Sequence, residues 1–228
     1  MVDAGTPAAD ILTMVNIVHG HITLPRGRRE RKKAEARRRL YEAAIRLFRS
    51  RGFDETPVEA ITEAADTSKG TFFNYFRTKE HVLAAYHDEM TGSILAQLAE
   101  IPTGNAEAAV QAAMGACADW VENDPEMGRI VVAKVFGNPI LRSADMKNAQ
   151  RFMEWFGGRV EAGLRAGELR RDLDVRIMLS MLAAVLSSTL NAWVVDSDSF
   201  DLREMLERKT RFVFDAACAP ARRGEPSS

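Results

Sequence analysis

The sequence predicts an all-α chain of about nine helices, three in an N-terminal helix-turn-helix domain and a larger helical body after them. Three features predict this. No window sustains the period-two alternation of a strand. Apolar residues recur instead at helical spacing, as in Leu40, Ala44, Leu47 and Phe48. Between the periodic stretches fall strong breaks: Gly52, Pro102-Thr103-Gly104-Asn105, Asn123-Asp124-Pro125 and Gly137-Asn138-Pro139.

The first helix runs from Arg37 through Arg51 and ends at a C′ glycine, Gly52. Thr56-Pro57-Val58-Glu59 then offers an N-cap threonine, a proline at the first helical position and a glutamate three residues on. A short helix from Val58 to about Ala65 follows, with Val58, Ile61 and Ala65 facing inward. Asp66-Thr67 breaks it, and Ser68 caps the third helix. Helical residues step by about 100°, which puts Phe72 and Phe76 underneath the third helix. Thr67, Gly70, Thr71, Asn74 and Tyr75 fall on the opposite arc. Gly70 costs helix stability, a cost that is useful where the backbone must approach another macromolecule. Two capped helices joined by a tight turn form a helix-turn-helix, and small polar residues on its exposed helix suit the major groove.

The run from Arg37 to Leu83 resembles the DNA-binding domain of the tetracycline-repressor (TetR) family. The matching elements are Ala43-Ala44, Leu47-Phe48, Arg51-Gly52-Phe53, Ile61 with Ala64-Ala65, Ser68-Lys69-Gly70-Thr71, the aromatics through Phe76, and Lys79-Glu80. Three positions depart from the pattern. Asp66 stands where the family usually has glycine, Thr67 where it has an aliphatic residue, and Phe73 where tyrosine is frequent. Aspartate tolerates a left-handed turn, so the turn survives, with the Asp66 carboxylate expected to point away from DNA.

Charge points to the same partner. Between Arg26 and Arg51 stand twelve basic residues, opposed only by Glu30, Glu35 and Glu42, although the whole chain has a formal net charge of −1. Such asymmetry marks the N-terminal third for a polyanion; without the helix-turn-helix it would describe a solvated basic helix equally well. The expected DNA contacts are Arg28, Arg29, Arg31, Lys32, Thr56, Thr67, Ser68, Lys69, Gly70, Thr71, Asn74, Tyr75 and Lys79. Thr71 and Asn74 are the expected base readers, and Tyr75 and Lys79 the expected phosphate contacts.

Cys117 and Cys218 are lone thiols far apart, which fits a reducing cytoplasm. No metal-ligand spacing joins His19, His21, His81 and His87, no cofactor is expected, and no apolar run is taken to approach the ~20 residues of a membrane span. Residues 1–25 carry the apolar stretch Ile11–Val18 without a basic n-region, so they are expected as a disordered leader rather than a signal peptide. The domains are then 26–90 for DNA binding and 91–219 for ligand binding and dimerisation, with a flexible tail at 220–228.

In the body, helices are expected from Lys79 to about Glu100, Ala106 to Glu122, Pro125 to Phe136, Leu141 to Ala166, one opening after Asp172 or Asp174, and Phe200 to Ala217. Leu179, Ala183, Leu186, Leu190 and Trp193 recur at spacings of four and three, a seam-like repeat. With Met205 and Phe212 they are the expected dimer interface, and the family resemblance implies a dimeric four-helix bundle there. Met90, Ile94, Leu98, Trp120, Met127, Val131, Phe136, Phe152, Trp155, Phe156, Met178 and Met181 are candidate pocket walls. Methionines and aromatics at helical spacing serve equally as plain core; that some line a small-molecule cavity is what the resemblance implies. Methionines there would suit an apolar ligand.

Together these features point to a ligand-responsive DNA-binding transcriptional regulator, a dimeric repressor on a palindromic operator, released by a small and largely apolar effector. A nonspecific architectural DNA binder is the alternative. No phosphate loop, nucleophile elbow, HExxH or paired-carboxylate motif supports an enzyme.

Overall fold

The computed structural model describes residues 27–101, 105–135 and 137–218. The leader and tail segments, and Phe136 among the pocket candidates, lie outside these residues. Among the described residues there are nine helices: α1 Arg28–Arg51, α2 Val58–Ala64, α3 Lys69–Tyr75, α4 Lys79–Ala99, α5 Ala106–Asn123, α6 Pro125–Val135, α7 Pro139–Ala166, α8 Val175–Val195 and α9 Leu202–Ala217. No strand occurs among them; a single isolated bridge joins Leu169 to Cys218.

Local chemistry explains the boundaries. Gly52 ends α1 at φ 84°, in the left-handed region that glycine enters without steric cost. Asp66 holds φ 47° in the turn between α2 and α3, the conformation that aspartate tolerates. Ser68 accepts a bond from the Thr71 N–H, Asn105 from Ala108, Asp174 from Arg176 and Ile177, and Asp201 from Glu204. Each satisfies amides that a helix start leaves orphaned. The capping box expected at Thr56 does not form. Pro57, which has no polar side-chain group, is the N-cap of α2 and makes no side-chain bond, and the Thr56 hydroxyl points instead to the Gly52 carbonyl, donating to it at 2.7 Å.

The chain divides into two compact units, residues 1–96 with 134–145, and 97–133 with 146–228. The expected border near residue 90 therefore moves to Ala96, and the first unit recovers a later segment. In that first unit Leu40, Ala44, Phe48, Ile61, Phe72, Val82 and Leu83 are buried. The rings of Phe48 and Phe53 lie 5.0 Å apart and those of Phe72 and Phe76 5.9 Å apart. In the second unit α9 packs on α5 and α8, burying Val110, Met114, Leu182, Leu202, Leu206 and Phe214.

One helix corrects an expectation. Val175–Val195 is 21 residues long with mean hydropathy 1.7, long and apolar enough by length and composition to cross a membrane. Packing inside the second unit accounts for only part of that apolarity, with 22% of the apolar stretch buried. Met178, Leu182, Thr189 and Trp193 are buried within the second unit. The outer side carries Ser180, Ser187 and Ser188, whose hydroxyls donate to the Ile177, Ala184 and Val185 carbonyls of the same helix.

Candidate nucleic-acid interface

The recognition surface is built on α3. Phe72 is fully buried and Phe76 nearly so, and they fix which side of this short helix faces out. Asn74, Lys69 and Gly70 are exposed; Thr67, Thr71 and Tyr75 are half-buried. Nothing but the Ser68 hydroxyl, at 3.8 Å, would meet a Cβ placed on Gly70, so that position stays open on the protein side. The Thr71 hydroxyl lies 3.0 Å from that of Ser68, a bond in which either can donate.

The N-terminal turns of α1 extend this surface. Arg29, Glu30, Lys32 and Lys33 line one groove together with Asn74 and Tyr75, with a volume of about 800 Å³. The groove therefore joins the basic arm to the recognition helix. Arg28 and Arg31 are exposed beside it. Lys33 was absent from the contacts expected from sequence; its place in the dense basic run was the available signal. Arg38 is held differently, clasped by Glu35 and Glu42 at 2.8 Å each. Both carboxylates favour its charged form.

Several expected contacts are engaged elsewhere. Thr56 is fully buried, and its hydroxyl satisfies the orphaned end of α1, so it offers nothing to a phosphate. The Lys79 ammonium donates to the carbonyls of Phe53, Asp54 and Thr56 at 2.7, 3.0 and 3.2 Å. It also lies 4.6 Å from the centre of the Phe53 ring. In this structure Lys79 therefore ties α4 to the loop after α1. Lys134 reaches the same loop, 2.5 Å from the Asp54 carboxylate, and this ammonium lowers the Asp54 pKa. Lys69 pairs with Glu59 across the turn of the motif, which holds the Glu59 carboxyl below its usual range. A phosphate at Lys69 would have to compete with that exposed pair.

In the second unit the expected pocket and interface residues separate by exposure. Leu98, Met127, Val131, Phe152, Phe156 and Met178 are buried. Trp120 and Trp155 are half-buried. Met181 is 43% exposed, on the outer side of α8, and so is not an interior wall. In the first unit Ile94 is buried and Met90 half-buried. Trp193, expected at the seam, is buried within its own subunit beneath Arg129, whose guanidinium lies 4.9 Å from the ring centre. Leu179, Ala183, Leu186, Leu190 and Met205 are half-buried, while Phe212 is 73% exposed. The most exposed apolar residues of α8 are Ile177, Met181 and Val195. With Ala184 and Ser188 they follow a four-three repeat.

A short capped helix exposing Lys69, Gly70 and Asn74, a helix before it across a tight turn, and a basic arm sharing its groove, joined in the chain to a separate helical unit, define a helix-turn-helix transcriptional regulator. Residues 40–86 match the family model for bacterial regulatory proteins of the tetR family, and residues 146–216 match that for the C-terminal region of the YsiA-like protein. The chain belongs to the tetR family of bacterial regulatory proteins and is a DNA-binding transcriptional regulator.

The chain is 22% identical over 166 residues to the fatty acid metabolism regulator protein of Bacillus subtilis, covering 72% of this chain and 86% of that one. It is 27% identical over 180 residues to the HTH-type transcriptional regulator TcmR of Streptomyces glaucescens, covering 76% and 79%. Among solved structures, FadR of Thermus thermophilus in complex with lauroyl-CoA superposes with a TM-score of 0.64 at 25% identity, over 84% of this chain and 98% of that one. FadR of Bacillus subtilis in complex with stearoyl-CoA gives 0.66 at 19% identity, over 78% and 97%.

Proposed function

We propose that this regulator is a dimeric repressor that binds an approximately palindromic operator and is released by a long-chain acyl thioester. The observation that carries the DNA side is the groove shared by Arg29, Lys32, Lys33, Asn74 and Tyr75. It sets phosphate-seeking cations beside a base-reading amide. Two such surfaces on a dimer would have to reach successive major grooves, about 34–36 Å apart, which requires a two-fold operator. The effector class rests on the FadR complexes with lauroyl-CoA and stearoyl-CoA. Buried Met127, Phe152, Phe156 and Met178 supply apolar surface in the unit that would receive an acyl chain.

Release requires the thioester to bind the DNA-incompatible conformation more tightly than the DNA-bound one. By linkage, operator DNA then weakens thioester binding by the same factor. The test is to select an operator from random duplexes and follow its anisotropy with the purified protein. Lauroyl-CoA or stearoyl-CoA at micromolar concentration should release it, and coenzyme A alone should not. Release by neither thioester would refute the effector class. Equal affinity for unrelated duplexes would favour an architectural DNA binder.

A further inference from the structure

The second unit contains a set of buried hydrogen-bond donors that its own residues leave unused, all on α7. Asn148 is 2% exposed. Its carbonyl oxygen accepts from Arg151 at 3.3 Å, yet its amide nitrogen has no partner. The indole nitrogen of Trp155 and Nη1 of Arg159 are likewise buried and unpartnered. The guanidinium of Arg159 lies 4.9 Å from the Trp155 ring centre, and its Nη2 donates to the Ile101 carbonyl at 3.1 Å. Among the described residues no carboxylate pairs with Arg159.

Spacing gathers these groups. Asn148 to Trp155 is seven residues, about two turns, and Trp155 to Arg159 is four, about one turn, so all three project from one side of the helix. Each orphan atom is a nitrogen donor. Thr91 and Thr210 also bury an unpartnered hydroxyl, but a hydroxyl can rotate and can donate or accept. A row of unpaired N–H groups that includes a guanidinium has one complement: a group rich in acceptors, preferably anionic. Buried donors are normally satisfied, which makes three on one helix side a specific feature of this chain. An apolar floor accompanies them. The Phe152 and Phe156 rings stack at 6.1 Å and 28°, and Trp155 meets Phe156 edge-on at 5.6 Å.

We propose that Arg159, assisted by Trp155 and Asn148, is the polar anchor for an oxyanion of an amphipathic effector whose apolar part lies on Phe152 and Phe156. In identifying that oxyanion with a thioester's phosphate or a fatty acid's carboxylate the inference rests on the acyl-chain function proposed above. The anchoring itself does not. Arg159 stacked on an indole is pre-organised for an oxyanion, which a flexible lysine would not be.

The test uses the full-length dimer and two fluorescent probes of similar shape and opposite polarity. These are 1-anilinonaphthalene-8-sulfonate, an anion, and N-phenyl-1-naphthylamine, which is neutral. Wild type should prefer the sulfonate. Arg159→Met should weaken the sulfonate by about tenfold or more while moving the neutral probe by less than about twofold. Trp155→Phe, which keeps a ring and removes only the N–H, should weaken the sulfonate by a few-fold. Arg159→Lys should restore part of the loss. Unchanged thermal melting and operator affinity without ligand would separate anchoring from folding. If Arg159→Met fails to fold, the comparison passes to Trp155→Phe and Arg159→Lys. Equal sulfonate binding by wild type and the variants that fold, or parallel losses for both probes, would overturn the anchor. Competition by dodecanoate, lauroyl-CoA and dodecanol then identifies the oxyanion. Displacement by dodecanoate assigns a carboxylate, displacement by lauroyl-CoA alone assigns a phosphate, and displacement by dodecanol as strong as by either anion counts against the anchor. An Arg159-dependent preference for sulfonate with no displacement by either acyl compound would keep the anchor and refute the acyl-thioester effector.

Discussion

The ammonium of Lys79 donates to the Phe53 carbonyl at 2.7 Å and sits 4.6 Å from the centre of the same residue's ring. One side chain thus closes the loop after α1 onto the start of α4, and it meets the Asp54 and Thr56 carbonyls as well. From sequence this lysine looked like a phosphate contact, because it opens the helix that follows the recognition helix. The two roles predict different measurements. Lys79→Met should leave the carbonyls without their cation and destabilise the protein by about 1–3 kcal/mol. The salt slope of operator binding should not change. A stable Lys79→Met protein whose slope falls by about one would return Lys79 to the phosphate contacts.

Asn74 and the basic arm line one groove but should act differently. Asn74→Ala should relax preference at one base position per half-site, at a cost of about 1–3 kcal/mol. Neutralising Arg28, Arg29, Arg31 and Lys32 together should weaken all duplexes alike and reduce the salt slope by about one per lost phosphate contact. Titrations at several salt concentrations, on the selected operator and on point variants of it, separate the two. An Asn74→Ala protein weakened equally on every sequence would make Asn74 a backbone contact.

Local chemistry was legible in the sequence and long-range pairing was not. The aromatic underside of α3, the Ser68 cap and the left-handed Asp66 follow from residues a few positions apart, and each is present. The partners of Thr56 and Lys79 could not be read from neighbouring residues because the tertiary fold sets them, with Lys79 reaching carbonyls 23 to 26 residues away. The repeat in α8 shows a third kind of limit. Leu179–Trp193 and Ile177–Val195 both carry four-three spacing. Only the packing of the helix against its own subunit decides which stripe is left outside. The unpartnered donors of α7 were invisible for the same reason.

Burial holds the His87 imidazole at a pKa of about 4, against an ordinary 6.5, although neighbouring Asp88 pulls in the opposite direction. Above about pH 6.5 His87 is neutral both folded and unfolded and adds no pH dependence. Between 6.5 and 4 the unfolded chain takes up a proton that the native state refuses, so stability falls as the solution is acidified. Asp145, 3.9 Å from the ring, is itself raised by burial and acts in the opposite direction toward the acid end. Urea unfolding at pH 7 and pH 5 should show wild type losing about 2 kcal/mol more than His87→Gln over that interval. Equal losses in the two proteins would mean that His87 is protonated in the native state.

The exposed stripe of α8 gives the last test. Ile177 is 59% exposed, Val195 87%, and Phe212 on α9 73%. Large apolar side chains left in water on two neighbouring helices mark a surface for a partner, and a second copy would bury them in a bundle of four helices. Trp193 and Leu182 are already buried inside the subunit, so they contribute to folding, and changing them would not separate association from stability. Ile177→Glu with Phe212→Glu would place charges in a closing apolar seam and weaken self-association by about a hundredfold or more. The monomer should keep its melting behaviour, since both positions face outward. Its operator affinity should drop steeply, because the second half-site contact is no longer intramolecular. Sedimentation at micromolar concentration decides the matter. A double variant that remains dimeric places the interface elsewhere, and a wild type that is monomeric removes the geometric basis for a palindromic operator.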